Sequence, residues 1–110
     1  MITSKEVKTK IEREVEKISN EFYSRLENKM NEKIIDNSIV IELLAKGKVY
    51  VGYSYRVREA QRDYGYDDNS IAWESIMKKV SIIIDKRLED AGWKLEDNDF
   101  LVPIEEKTKE

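Results

Sequence analysis

The sequence predicts an α+β domain, two-layered, with an antiparallel sheet covered on one face by two helices in αββαββ order. Three observations carry that expectation. The stretch 3–35 repeats its apolar residues every three or four positions, and 70–91 does the same. Between and after them, Ser38–Arg58 and Trp93–Ile104 are rich in Ile, Val, Leu and aromatic residues and carry turn residues at their centres. Residues 1–104 therefore read as one domain, and 105–110 as a charged, disordered tail.

The first helix is placed by Val7, Ile11, Val15, Ile18, Phe22, Leu26 and Met30, which fall on one stripe. Thr3 and Glu6 have capping-box spacing, and Ile2 with Val7 would form a hydrophobic staple. Asp36-Asn37 ends it, because Asn tolerates the left-handed cap. A helix over 3–35 is a rod of roughly 48 Å, longer than a compact domain of this size is wide. Either it overhangs, or it breaks at Ser19-Asn20.

The segment SIVIELLAKGKVYVGYSYRVR, 38–58, reads as a β-hairpin. A three-residue loop at Ala45-Lys46-Gly47 puts Ile39, Ile41, Leu43, Val49, Val51, Tyr53, Tyr55 and Val57 on one face. It also places Gly47 where the turn needs a positive φ. The other face then holds Val40, Glu42, Leu44, Lys48, Tyr50, Gly52, Ser54, Arg56 and Arg58. That mixture is too apolar for a solvated surface and calls for a covering partner.

The second helix starts at a cap offered by Asp68, Asn69 or Ser70. Trp73, Ile76, Val80, Ile83, Ile84 and Leu88 give it a wide apolar face, and Gly92 stops it. Trp93–Glu96 and Phe100–Ile104 are short strands about Asp97-Asn98-Asp99, with Pro103 at an edge or strand end.

The chemistry is bounded first by absence. The 110 residues include no His and no Cys, which excludes Ser-His-Asp and Cys-His nucleophile sites and the usual zinc ligand sets. No phosphate-binding glycine motif occurs among four scattered glycines. Asp63, Asp67 and Asp68 could hold Mg²⁺ or Ca²⁺, but their spacing fits no metal motif and helix capping explains them better. The expectation is therefore no enzyme, no metal and no cofactor. No 18-residue apolar run and no leader is present, so the expected setting is soluble and cytoplasmic.

Net charge is −3, unevenly spread. Residues 1–62 carry 13 Lys/Arg against 10 Asp/Glu, whereas 89–110 carry 3 against 8. The acidic C-terminal third could mimic nucleic acid, although such charge more often only solubilises. Lys outnumbers Arg 14 to 6, and Ile is frequent. This bias is common in short accessory proteins of phages and mobile elements.

The candidate partner-binding residues are Tyr50, Arg56, Arg58, Arg62, Tyr64 and Tyr66. Tyr and Arg are enriched at protein interfaces, and the loop RDYGYDDN has the composition of an adaptable binding loop. The leading expectation is a homodimeric interaction protein that binds and inhibits a host defence or nucleic-acid-processing protein. The alternative is a nucleic-acid binder that stacks bases on a sheet face with Tyr50, Arg56, Arg58 and Arg62, and Lys46 and Lys48 near the turn.

Overall fold

A computed structural model describes residues 1–67 and 70–105. Among these are four helices and a three-stranded antiparallel sheet. In chain order they are α1 (Ser4–Ile35), α2 (Ser38–Lys46), β1 (Val49–Tyr50), α3 (Tyr53–Asp63), α4 (Ile71–Asp90), β2 (Trp93–Glu96) and β3 (Phe100–Pro103). The mixed class, the long first helix and the antiparallel sheet agree with the sequence. The αββαββ order does not. Asp68, Asn69 and the tail 106–110 lie outside the described residues.

α1 begins where expected: the Thr3 hydroxyl accepts from the Glu6 N–H at 3.2 Å. It runs unbroken through Ser19-Asn20. Ser19 is fully buried, and its hydroxyl donates to the Val15 carbonyl at 2.7 Å. The polar group is satisfied one turn back, so it does not interrupt the helix. Asn20 accepts instead from the Arg87 guanidinium at 2.7 Å, tying α1 to α4. Asn37 ends the helix with φ 65°.

Ser38–Arg58 is not a β-hairpin. Its first arm is α2 and its second arm divides into β1 and α3. In Ile39-Val40-Ile41-Glu42-Leu43-Leu44, apolar residues recur at i+2 and at i+4 alike, so periodicity does not separate strand from helix. The termini decide it. The Asp36 carboxylate accepts from the Ser38 N–H at 2.8 Å and starts α2, and Gly47 closes it at φ 71° with its N–H on the Leu43 carbonyl at 2.9 Å. Gly47 thus has the expected positive φ, but as a helix cap rather than a hairpin turn.

Glu42 sets the position of α2. Its carboxylate accepts from Lys33 of α1 at 2.9 and 2.8 Å and from the Tyr50 N–H of β1 at 3.1 Å. Burial opposes the charge, yet the Lys33 ammonium and the Tyr50 N–H hold the Glu42 pKa below the ordinary carboxylate value.

α3 is also set by its start. Gly52 takes φ 63°, and a Cβ there would sit 3.2 Å from the Tyr50 hydroxyl oxygen. Ser54 then donates to the Asp99 carboxylate from its N–H at 3.1 Å and from its hydroxyl at 2.6 Å. An acidic residue at a helix N-terminus is favoured by the orphan N–H groups and the dipole. Tyr53, Val57 and Ala60 turn inward at i, i+4 and i+7. The expected core face of the hairpin therefore splits, and Tyr55 points to solvent.

α4 starts on the Ser70 hydroxyl, which accepts from the Trp73 N–H at 3.1 Å, and ends before Gly92 at φ 87°. The β2–β3 hairpin turns through Asp97 and Asn98, both left-handed at φ 53° and 59°. β3 is the central strand, pairing Leu101 with Leu95 on one side and with Val49 on the other, for an order β1-β3-β2. Pro103 stands at the end of β3.

The core lies where α1 and α4 pack beside the sheet. Ile18, Phe22 and Leu26 of α1 meet Val80, Ile84 and Leu88 of α4, closed by Val49 and Leu101. Each such side chain contributes roughly 1.5–3 kcal/mol by burial. Phe22 takes Tyr53 edge to face at 5.9 Å. No residue before Val15 is buried, so the first turns of α1 project from the body. The radius of gyration is accordingly 16.5 Å, with extents of 58 × 36 × 23 Å, against about 13 Å for a compact domain. No helix among the described residues is long and apolar enough to cross a membrane.

Candidate interaction surfaces

The six residues expected to bind a partner fall into three places. Tyr50 lies on β1, half-exposed, with its ring edge-on to Phe100 at 5.6 Å and the Lys33 ammonium 5.7 Å from its centroid. It shares no sheet face with the arginines, because those are on α3. The platform of one aromatic flanked by two arginines on a strand therefore does not form.

Tyr64 and Tyr66 are drawn inward. The Tyr64 hydroxyl donates to the Glu21 carboxylate, and its ring lies 6.3 Å from Trp73 at 29°. Tyr66 meets the same indole at 5.2 Å. Partial burial first, and then the Glu21 carboxylate, push the Tyr64 pKa up to about 12. Together the two rings clamp the α3–α4 connection onto α1 and α4, so packing accounts for both. Asp63 ends α3, while the Asp67 carbonyl accepts from the Ser70 N–H at 3.0 Å.

The arginines remain outward. Arg58 and Arg62 are exposed and stand one turn apart on α3 with Tyr55, which is 65% exposed. Neither arginine has an ion-pair partner among the described residues. Arg56 lies beside Glu59 at 3.9 Å. The result is a short Tyr/Arg stripe at i, i+3 and i+7. Reading the segment as a strand hid Tyr55 from it. Helical spacing was the signal that would have found it.

A second surface is apolar. α2 holds Ile39, Val40, Ile41, Leu43, Leu44 and Ala45, yet none of its residues is buried. Ile39 and Leu43 lean on the core, whereas Val40, Ile41 and Leu44 face outward. Leu44 is 84% exposed, and Ile35, just before α2, is 86%. The exposure of Val40 and Leu44 was expected from sequence. That of Ile35 and Ile41 was not. A hollow of about 200 Å³ adjoins this patch, floored by Leu26, Met30, Ile34, Ile39 and Trp93. A larger, open recess of about 800 Å³ lies between the end of α4 and β2, rimmed by Asp85, Glu89 and Asp90. Among the described residues it carries no convergent set of buried polar groups.

The acidic turn of the hairpin has a structural use. Asp99 caps α3, and Asp97 and Asn98 supply the left-handed pair that the turn requires. Comparison of the chain with protein-family models, with curated proteins and with solved structures gives no significant match.

Proposed function

We propose that the protein is a non-enzymatic interaction module that presents α3 to an acidic surface of a partner protein. The observation that carries this reading is the stripe of Tyr55, Arg58 and Arg62, exposed on a helix whose opposite face, Tyr53 and Ala60, is locked into the core. Tyr and Arg are the side chains most often found as binding hot spots, and a rigid helix presents them at low entropic cost. The lack of His and Cys leaves few groups able to act as acid, base or nucleophile near neutral pH. The small size and the Lys- and Ile-rich composition fit an accessory protein of a phage or mobile element, acting in the cytoplasm on a host protein as an inhibitor.

A second reading, nucleic-acid binding, is favoured by the order of elements. Two consecutive helices, α3 and α4, precede a hairpin, and α4 exposes Lys78 and Lys79. Helix-turn-helix proteins present a helix to a groove in this general manner. The acidic residues in the hairpin turn and the net charge of −3 weigh against it.

One experiment separates the two. Wild type and an Arg58→Glu/Arg62→Glu double variant are titrated against labelled single- and double-stranded DNA at low and moderate salt, and are used in parallel as bait in host lysate. The proposal expects specific protein capture that the double variant loses, without DNA affinity. Salt-dependent DNA binding by wild type supports the second reading, and its retention in the double variant places it on α4. Identical behaviour of both baits rejects α3 as the binding surface.

A further inference from the structure

We infer that two copies of this chain associate through α2, laid antiparallel against α2 of the second copy about a two-fold axis near Glu42. Val40, Ile41 and Leu44 occupy one outward arc of α2, at i, i+1 and i+4, and Ile34 and Ile35 are exposed at the end of α1, two residues before it. Together the five residues leave on the order of 600 Å² of surface open. Covering that area on each copy approaches the roughly 800 Å² per partner of an ordinary specific interface.

The occupant is argued from charge. A two-fold axis at the middle of α2 sets Val40 against Leu44 of the second copy and Ser38 against Lys46. The N-terminal end of α2 is acidic: Asp36 is exposed and its carboxylate sits against the Ser38 N–H. The C-terminal end is basic: Lys46 is exposed and has no ion-pair partner among the described residues. Antiparallel pairing therefore brings Asp36 of each copy to Lys46 of the other, at both ends of the contact. It also opposes the two helix dipoles. A parallel pairing would place like charges together. Glu42, level with the axis along the helix, turns away from it onto Lys33 of α1 and the Tyr50 N–H of β1, so no like charges meet at the axis. Such a surface is complementary to itself, as an isologous dimer requires.

This interface is separate from the α3 stripe, so the two stand or fall independently. Light scattering coupled to size exclusion, on the full chain from 1 µM to 1 mM, is expected to show a monomer–dimer equilibrium with micromolar dissociation, reflecting the small area. Leu44→Glu is expected to abolish the dimer while leaving the circular dichroism unchanged, and the melting temperature unchanged at concentrations where wild type is monomeric, because Leu44 lies outside the core. Arg58→Glu/Arg62→Glu should leave the dimer intact. Lys46→Glu is expected to weaken it about tenfold. The chain has no cysteine, so single substitutions report the pairing directly. A mixture of Val40→Cys and Leu44→Cys chains should form the mixed disulfide in excess over either symmetric one. A monomer throughout the range, a dimer insensitive to Leu44→Glu, or a predominance of symmetric disulfides each overturns the inference.

Discussion

Asp99 accepts two hydrogen bonds from Ser54, from the N–H at 3.1 Å and from the hydroxyl at 2.6 Å. The two residues are 45 positions apart, so the N-terminus of α3 is completed by a turn at the other end of the fold. The pairing explains how α3 starts at Gly52-Tyr53 with no side-chain cap of its own. Asp99→Ala should cost about 1–2 kcal/mol, the usual loss for a helix cap, and Asp99→Asn clearly less. Urea unfolding of the three proteins measures this. Equal midpoints for wild type and Asp99→Ala would show that the cap does not contribute.

Glu42 joins α1, α2 and β1 through Lys33 and Tyr50. Glu42→Gln removes the charge while keeping the shape, and leaves the well-covered Lys33 ammonium without its anion. A loss of about 1.5–3 kcal/mol is expected, as for other hydrogen bonds to charged groups. The folded pKa of Glu42 lies below its ordinary value. Its contribution is therefore present above the unfolded-state pKa and is lost as pH falls through the lower folded value. Stability of wild type should fall faster than that of Glu42→Gln on acidification below about pH 5. Parallel pH curves would sink the assignment.

Tyr53 is 5% exposed, and its hydroxyl has no hydrogen-bond partner among the described residues. Burial, with Asp85 adding to it, pushes its pKa up to about 12. Tyr53→Phe deletes an unsatisfied polar atom and keeps the edge-to-face contact with Phe22. The expected change is between zero and about 1 kcal/mol of added stability. Because the phenol is held neutral in the fold, its contribution is complete below pH 10 and disappears as pH rises through the folded pKa of about 12. Melting temperatures from pH 9 to 12 should therefore decline less steeply in Tyr53→Phe than in wild type. A steeper decline in the variant would contradict this.

Much of the fold was legible in the sequence, for identifiable reasons. α1 and α4 announce themselves by caps at Thr3 and Ser70 and by one apolar stripe each, so local signal and burial agree. The β2–β3 hairpin follows from Asp97-Asn98, two residues suited to the left-handed turn. Ser38–Arg58 failed because its Ile, Val and Tyr residues favour strands by type, while their spacing fits either structure. For α2 the deciding signals are its local ends, Asp36 before Ser38 and Gly47 after Lys46, which also suit a hairpin turn. For α3 the deciding contact, Asp99 to Ser54, is tertiary, and no local rule supplies it. At the candidate surfaces, the exposure of Val40 and Leu44 was readable as apolar residues on a mixed face, and that of Arg58 and Arg62 from their charge. The inward turn of Tyr64 and Tyr66 was not, because it depends on Trp73 and Glu21 from distant elements.

The central place of β3 has a consequence for how the fold is reached. β1 has only Val49 and Tyr50, and both pair with Leu101 and Phe100. α3 is likewise capped by Asp99. On a ribosome, the middle of this chain emerges with its partners still unmade, roughly 50 residues ahead of them. At ~5–20 residues per second that is an interval of seconds. During it, α1 and α2 can already be helical, while 49–63 waits for the contacts that place it. The last described strand thus does more than complete a sheet: its arrival gives β1 its pairing and α3 its cap.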